Sequence, residues 1–184
     1  MKAVEGGQTS EVAALLDRGL DVNSTDRDGN TLLMLAARYG HRDVAAFLLS
    51  RKADINRRNG YGDNALLMAS LKGDLPVVKM LVEARAELNP PGWAPLHYAA
   101  FGGVAPVVTY LIGKGANKDS VAPNGHTALM LAVRDGRIDA ARALLFEDVD
   151  VNFRTSAGET ALGIAQKREK AEMVELLRRA GARQ

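Results

Sequence analysis

The sequence predicts an all-α protein, a solenoid of stacked helix pairs, on three observations. A glycine recurs at intervals of about 33 residues, with one shorter interval between Gly62 and Gly92, and such a fixed period is the signature of a repeat architecture. A leucine stands four residues after each of these glycines, and an alanine stands three residues after each leucine. Each repeat is therefore predicted to be one supersecondary element that buries its apolar face against its neighbours.

The composition excludes several classes of protein. The chain of 184 residues is 47% apolar and 25% charged, with a formal net charge of +2, so it is too apolar and too nearly neutral to be disordered. It has no Cys, which excludes a disulfide framework and a thiolate metal site, and its 18 Gly show no collagen period.

The recurring glycines mark a turn before the first helix of each pair. They are Gly29, Gly62, Gly92, Gly125 and Gly158, followed two residues later by Thr31, Asn64, Ala94, Thr127 and Thr160. Glycine reaches the positive φ that a tight turn needs, and a Thr hydroxyl caps a helix by accepting from its first N–H groups. The first helices are therefore predicted to start at these positions, with Pro95 at the first helical position of its repeat.

A second set of glycines predicts where the first helices end. Gly40, Gly73, Gly103 and Gly136 stand four residues after the alanine column, where a left-handed residue would close the helix, and Glu169 breaks this series. The second helix of the pair is predicted from about Asp43 to Ser50, with Val44, Phe47 and Leu48 on its inner face. The segments between repeats, such as Lys52-Ala53-Asp54-Ile55-Asn56, are predicted as loops whose Asn side chain bonds to nearby backbone.

These motifs resemble ankyrin repeats over essentially the whole chain. The nearest matches to the family pattern are Ala94-Pro95-Leu96-His97-Tyr98-Ala99-Ala100 and Gly40-His41. The resemblance implies antiparallel helix pairs stacked side by side, with the loops between repeats projecting as hairpin-like fingers, and the Met-rich repeats look similar to bacterial members. Where the family has His, this chain has Met34, Leu67, Met130 and Gly163, so the usual histidine hydrogen bonds are expected only for His97.

The resemblance implies a single ankyrin-repeat domain over residues 1–184. Its predicted parts are a truncated N-terminal capping repeat 1–25, internal repeats 26–58, 59–88, 89–121 and 122–154, and a C-terminal capping repeat 155–184. Residues 165–184 contain six basic and three acidic residues, so the mild basicity of the chain comes from the C-terminal cap.

Signatures of catalysis and of cofactor or metal binding are missing from the sequence. There is no G-x-S-x-G, P-loop, H-E-x-x-H or Gly-rich dinucleotide loop. His41, His97 and His126 fall at different positions of their repeats and do not form a spaced ligand set. We therefore predict that the protein is not an enzyme and binds no cofactor and no metal, with His97 a buried, hydrogen-bonded helix residue.

The predicted function is recognition of another protein, as scaffold, adaptor or inhibitor. The resemblance implies that the partner is held on a concave face made of finger tips and first helices. Carried over position by position, this face consists of Arg27, Asp28, Asn30, Arg38, Tyr39, Tyr61, Asp63, Leu71, Lys72, Trp93, Tyr98, Phe101, Asn124, His126, Arg134 and Asp135. Five of the nine aromatic residues belong to this set, and aromatic clustering is typical of binding hot spots.

Two points about this set stay open at the level of sequence. Trp93 is expected to be exposed at a finger tip, where it would contribute to binding rather than to stability. Tyr98 and Phe101 are either exposed or partly core between repeats.

The alternative function is binding of nucleic acid or of an anionic surface through the basic C-terminal cap, which needs basic residues on one continuous face.

The remaining predictions concern partners and compartment. Residues 88–113 contain no Asp, Glu, Lys or Arg, but four prolines and four glycines interrupt this stretch, so no membrane insertion is predicted. We expect a monomer that is soluble and cytoplasmic by default, or in the bacterial periplasm if a signal peptide was removed.

Overall fold

The structure, a computed structural model, describes residues 1–183, which divide into two compact units between Glu87 and Leu88. The described residues form twelve helices and no strand, with two isolated β-bridges in the loops. This confirms the predicted all-α fold class. The division into six repeats within a single domain stays a prediction.

The first unit is a two-layer stack of short helices. Helices α1, α3 and α5 pack against one another in sequence, α2, α4 and α6 form the second layer, and each consecutive pair packs across the layers. The helices are α1 (Lys2–Glu5), α2 (Thr9–Asp17), α3 (Leu32–Tyr39), α4 (Arg42–Ser50), α5 (Ala65–Lys72) and α6 (Leu75–Glu83).

The second unit repeats this arrangement. Helix α9 packs between α7 and α11, α8 packs against α10, and α12 packs against α11. The helices are α7 (Pro95–Gly102), α8 (Ala105–Gly113), α9 (Ala128–Arg134), α10 (Ile138–Phe146), α11 (Ala161–Lys167) and α12 (Ala171–Arg179).

The first helices begin where the sequence predicts, because side chains satisfy their unpaired N–H groups. The Oγ1 atoms of Thr31, Thr127 and Thr160 accept hydrogen bonds of 3.2, 3.3 and 3.0 Å from backbone N–H groups three residues later, and the Oδ1 of Asn64 accepts one of 3.0 Å. Ala94 has no such atom, and Pro95 stands at the first position of α7 as predicted.

The leucine and alanine columns form the core. Leu33, Leu66, Leu96, Leu129 and Leu162 are at most 2% exposed, and the five alanines of the next column are fully buried. Each buried leucine contributes about 1.5–3 kcal/mol relative to an exposed one, and the small alanines allow neighbouring helices to approach. One prediction is wrong here: Phe47 is only half-buried, with the Arg51 guanidinium 5.5 Å from its ring centre, and Ala45 occupies the inner face instead.

After α11, Glu169 takes the place of the glycine that ends the other first helices. Gly40, Gly73, Gly103 and Gly136 end the preceding first helices with φ between 69° and 82°, as predicted. Glu169, which breaks the series in the sequence, adopts the same left-handed region with φ of 54°. A side chain with a Cβ is strained in this region, and Glu169 makes no ion pair within residues 1–183 that would compensate.

Replacing Glu169 by glycine is therefore expected to raise the free energy of unfolding by about 0.5 kcal/mol, because relief of strain exceeds the added entropy of the unfolded chain. Urea unfolding followed by circular dichroism measures it. Arg168→Gly is the control, since Arg168 has φ of −99° and gains nothing from glycine. Equal destabilisation by both substitutions would contradict the expectation.

A ladder of side-chain bonds links the loops that follow the second helices. Asn23, Asn56, Asn89 and Asn152 each accept a hydrogen bond of 2.7–2.9 Å from a backbone N–H in the corresponding loop of the next repeat. The fourth loop departs from the pattern in sequence, yet Asp119 takes the same place and accepts from the N–H of Asp150 at 2.8 Å. The predicted bond to backbone thus joins repeats rather than closing one loop.

Candidate functional site

The fingers of the first unit are hairpin turns joined to each other by polar groups. The N–H of Asp26 donates to the carbonyl of Asn30 at 3.0 Å, and the N–H of Asn59 donates to the carbonyl of Asp63 at 2.9 Å. Between the two fingers, the N–H of Gly60 donates to the carbonyl of Asp28 at 3.0 Å. These bonds fix the finger tips before any ligand binds.

Asn30 is part of this internal network and not of the surface. It is 3% exposed, its Nδ2 donates to Asp26 Oδ2 at 2.9 Å, and its Oδ1 accepts from Asn59 Nδ2 at 2.7 Å. Its predicted place among the contact residues is therefore wrong, because the next finger covers it. Burial raises the pKa of the neighbouring Asp26 carboxyl, but hydrogen bonds from Asn30 and Asp28 and the charge of Arg38 outweigh it and hold that pKa below 3.8.

The first unit exposes three large apolar or aromatic side chains from the predicted set. Tyr61 at a finger tip is 76% exposed, and Tyr39 and Leu71, at the ends of the neighbouring helices α3 and α5, are 44% and 41% exposed. The charged members of the set stand on the same finger tips and helix ends: Arg27, Asp28, Arg38 and Lys72 are exposed and Asp63 is half-buried. An apolar centre with a charged rim is the usual anatomy of a protein interface.

In the second unit the aromatic residues pack on one another. Trp93 is half-buried, and its ring packs edge-on against the rings of His97 and Tyr98. The ring centres lie 5.9 and 6.0 Å from that of Trp93. The expectation that Trp93 is exposed at a finger tip is therefore wrong, and its removal would cost stability as well as contact area. Tyr98 is half-buried too, whereas Phe101 is 40% exposed.

His97 is fully buried beside the Trp93 ring, and both of its ring nitrogens are hydrogen-bonded. Its Nδ1 accepts from the N–H of Ala94 at 3.0 Å, so its Nε2 carries the proton and donates to the carbonyl of Ser120 at 2.9 Å. Burial lowers the pKa of His97 below 6.5, although the bond to Ser120 opposes this shift. The prediction of a buried, hydrogen-bonded helix residue is confirmed.

A small cavity with charged residues in its lining lies between the finger and helix surfaces of the second unit. It has a volume of about 270 Å³ and is lined by His126, Arg134, Glu159, Ile164, Lys167 and Arg168. The Nε2 of His126 lies 3.1 Å from Glu159 Oε2, while Arg134 pairs with Asp135 at 2.8 Å and its guanidinium lies 5.8 Å from the ring centre of Phe101. Asn124 is exposed at the tip of the same finger.

Sequence reasoning found two of the six residues that line this cavity, His126 and Arg134, and missed the other four. Glu159 occupies the place of His126 in the following repeat, and Lys167 and Arg168 occupy the places of Arg134 and Asp135. The repeat period therefore carried the signal. The cavity residues of the last repeat were not predicted because residues 155–184 are expected to form a cap outside the binding face.

Comparison with known proteins identifies the repeats. A family model described as "Ankyrin repeats (3 copies)" matches residues 58–122 and 96–184, and one described as "Ankyrin repeats (many copies)" matches residues 15–67. The chain belongs to the ankyrin repeat family. Ankyrin repeat domains act in general as protein–protein interaction modules.

Solved ankyrin repeat structures share the fold along the whole chain. The ankyrin repeat domain of human ASB11 superposes with a TM-score of 0.92 at 26% identity, covering 99% of this chain and 83% of that one. An ankyrin repeat domain from Acinetobacter baumannii superposes with a TM-score of 0.84 at 28% identity, covering 99% and 97%. Both likenesses cover the finger and first-helix positions discussed above.

A curated relative matches part of the chain. Alpha-latroinsectotoxin-Lt1a of Latrodectus tredecimguttatus is 33% identical over 89 residues, which is 48% of this chain and 6% of the toxin. Within residues 1–183 no helix has the length and apolar character needed to cross a bilayer. The same residues contain no cluster of three or more His, Cys, Asp or Glu placed to hold a metal ion.

Proposed function

We propose that the protein is a non-enzymatic scaffold, adaptor or inhibitor that binds a partner protein on the finger tips and first helices of its units. The observation that carries the proposal is the exposure of Tyr39, Tyr61, Leu71 and Phe101, all at predicted contact positions. In the first unit the exposed side chains stand at a finger tip and at the ends of neighbouring helices, and exposed apolar groups of this kind beside charged residues are typical of an interaction surface.

Rigidity favours binding through this surface. The finger tips of the first unit are held by backbone bonds of about 3.0 Å, and the ladder of Asn and Asp side chains ties the loops of each unit. A preformed surface loses little conformational entropy on association, so more of the contact energy appears as affinity.

Phe101→Ala is expected to weaken partner binding by about 1–2 kcal/mol, because it removes an exposed aromatic side chain at a contact position. The partner is captured on immobilised protein from a lysate of the source organism and identified, and its affinity is then measured by isothermal titration calorimetry. Phe146→Ala is the matched control, since Phe146 is 88% exposed and lies outside the predicted contact set.

The control separates the proposed surface from nonspecific adhesion. Unchanged affinity for Phe101→Ala, or an equal loss for both variants, would contradict the proposal. Circular dichroism establishes that both variants remain folded, and the melting temperature shows the small cost of losing the contact between Phe101 and Arg134.

The alternative, binding of nucleic acid or an anionic surface through the basic cap, stays a prediction with less support. One basic residue of the cap is already paired, since Arg179 lies 2.8 Å from Glu175. The monomeric state and the compartment likewise stay predictions.

A further inference from the structure

We propose that the cavity between α9 and α11 binds a carboxylate side chain from an acidic, partly apolar segment of the partner protein. This inference rests on the proposed function and names the chemistry that the second unit would recognise. The cavity is the one lined by His126, Arg134, Glu159, Ile164, Lys167 and Arg168.

Positive charge predominates in the cavity. Arg134, Lys167 and Arg168 contribute three cations against two carboxylates, those of Glu159, 3.1 Å from the His126 ring, and of Asp135, 2.8 Å from Arg134. Lys167 and Arg168 are exposed and make no ion pair within the described part of the chain. A carboxylate entering the cavity would therefore gain partners without displacing any from these two side chains.

The repeat architecture explains why these charges converge. Arg134 ends α9 and Lys167 ends α11, one repeat apart, and the two helices pack side by side. Residues at equal repeat positions on adjacent first helices face the same side of the stack, so the period of the sequence brings the cations to one place.

Apolar groups border the charges and define the rest of the ligand. Ile164, which lines the cavity, is 3% exposed. The guanidinium of Arg134 connects the cavity to the exposed ring of Phe101 at 5.8 Å. The occupant that fits is a peptide in which an apolar side chain lies next to Asp or Glu, with the apolar group on Phe101 and the carboxylate in the cavity.

The chemistry favours a peptide over a nucleic acid. A nucleic acid backbone is held by basic residues along a continuous groove and by aromatic rings whose faces are open for stacking. Here the Trp93 ring is half-buried and packed edge-on against His97 and Tyr98, and Glu159 and Asp135 stand beside the cations. A cavity of about 270 Å³ is suited to one or two side chains.

The test uses defined peptides and the intact chain. A peptide of alternating glutamate and leucine and its glutamine–leucine counterpart are titrated into isotopically labelled protein, and amide chemical shifts report both affinity and position. We expect the glutamate peptide to bind about tenfold more tightly, with the largest shifts at Ile164, Lys167 and Arg168.

Lys167→Glu with Arg168→Glu is expected to weaken binding of the glutamate peptide about tenfold, because two attractive charges become repulsive. The matched control is Arg178→Glu with Arg183→Glu, which makes the same change of charge at exposed positions outside the cavity and should leave binding within about twofold. If the first pair disturbs folding, Lys167→Gln with Arg168→Gln replaces it and should lose about half of the effect on a logarithmic scale.

Each outcome of these titrations either supports or overturns the carboxylate site. Equal affinity for the two peptides, or equal loss in both charge-reversal variants, would overturn the carboxylate site. An oligothymidylate that binds more tightly than the glutamate peptide, and is lost in the same variant, would assign the cavity to nucleic acid instead. If the captured partner is weakened by Phe101→Ala but not by Lys167→Glu with Arg168→Glu, the proposed function stands and only this inference fails.

Discussion

Replacing His97 by alanine is expected to lower the free energy of unfolding by about 3 kcal/mol at neutral pH, from lost packing and unmet hydrogen bonds. The imidazole is fully buried and fills space between the Trp93 ring and the loop that carries Ser120. Its removal leaves a cavity, and it leaves the N–H of the buried Ala94 without the acceptor that it has at 3.0 Å.

The chain itself offers the matched variant. At the same repeat position, Met34 accepts a hydrogen bond of 3.3 Å from the N–H of Thr31 through its Sδ. His97→Met therefore keeps most of the volume and a weak acceptor for the N–H of Ala94, while it loses the bond to Ser120. We expect this variant to lose about 1 kcal/mol, clearly less than His97→Ala.

The imidazole also makes stability depend on pH in a defined direction. Because burial lowers the pKa of His97 in the folded state below 6.5, the unfolded chain takes up a proton there that the folded chain does not. The destabilisation that results from this proton uptake is negligible well above pH 6.5. It grows as the pH falls below 6.5, until the pH passes the pKa of His97 in the folded state. Acidification from pH 7 should thus destabilise the protein through this residue.

Urea unfolding of the protein and of His97→Met between pH 7.5 and 5 measures this effect. The difference in free energy between the two should shrink as the pH falls, since the methionine variant has no group to titrate at this position. A difference that is constant with pH, or that grows on acidification, would show that the folded state accommodates the charged ring.

The features predictable from the sequence are those that each repeat carries by itself. The turn glycine, the capping Thr, the Leu and Ala columns and the glycine that ends the first helix are local requirements of backbone geometry and burial, and five repetitions made them recognisable. Where one repeat lacks the usual residue, the backbone kept its conformation regardless, as Glu169 shows with its φ of 54°.

The errors concern side chains whose environment comes from elsewhere in the chain. Asn30 lies at a finger position typical of contact residues, but Asn59 from the next finger covers it. Trp93 follows a turn glycine, yet the rings of His97 and Tyr98 give it a partner that an exposed finger tip lacks. For Asn30 the covering residue belongs to the next repeat, whereas for Trp93 it is the fold of its own turn that brings residues four and five positions later against the ring.

Replacing Asn59 by alanine is expected to lower the free energy of unfolding by about 2 kcal/mol, because a buried network of the first unit loses its central side chain. The residue is 9% exposed. Its Oδ1 accepts from the N–H groups of Tyr61 and Asp63, both at 2.9 Å, and its Nδ2 donates to Asn30 Oδ1 at 2.7 Å. All three bonds disappear together, and the carbonyl oxygen of the Asn30 amide loses its donor.

Asn59→Asp separates the two halves of this network. The preceding finger shows that a carboxylate suffices for the turn, since Asp26 Oδ1 accepts from the N–H groups of Asp28 and Asn30 at 2.9 and 2.8 Å. The introduced carboxylate would instead oppose Asn30 Oδ1, oxygen against oxygen, and Asn30 cannot turn its amide round because its Nδ2 is bonded to Asp26. We therefore expect a loss of about 1–2 kcal/mol at pH 7 that diminishes as the pH falls towards 4, where the protonated carboxyl can donate to Asn30. Stability equal to that of the unchanged protein at pH 7 would mean that the bond between the fingers contributes nothing and that the turn alone accounts for the cost of Asn59→Ala.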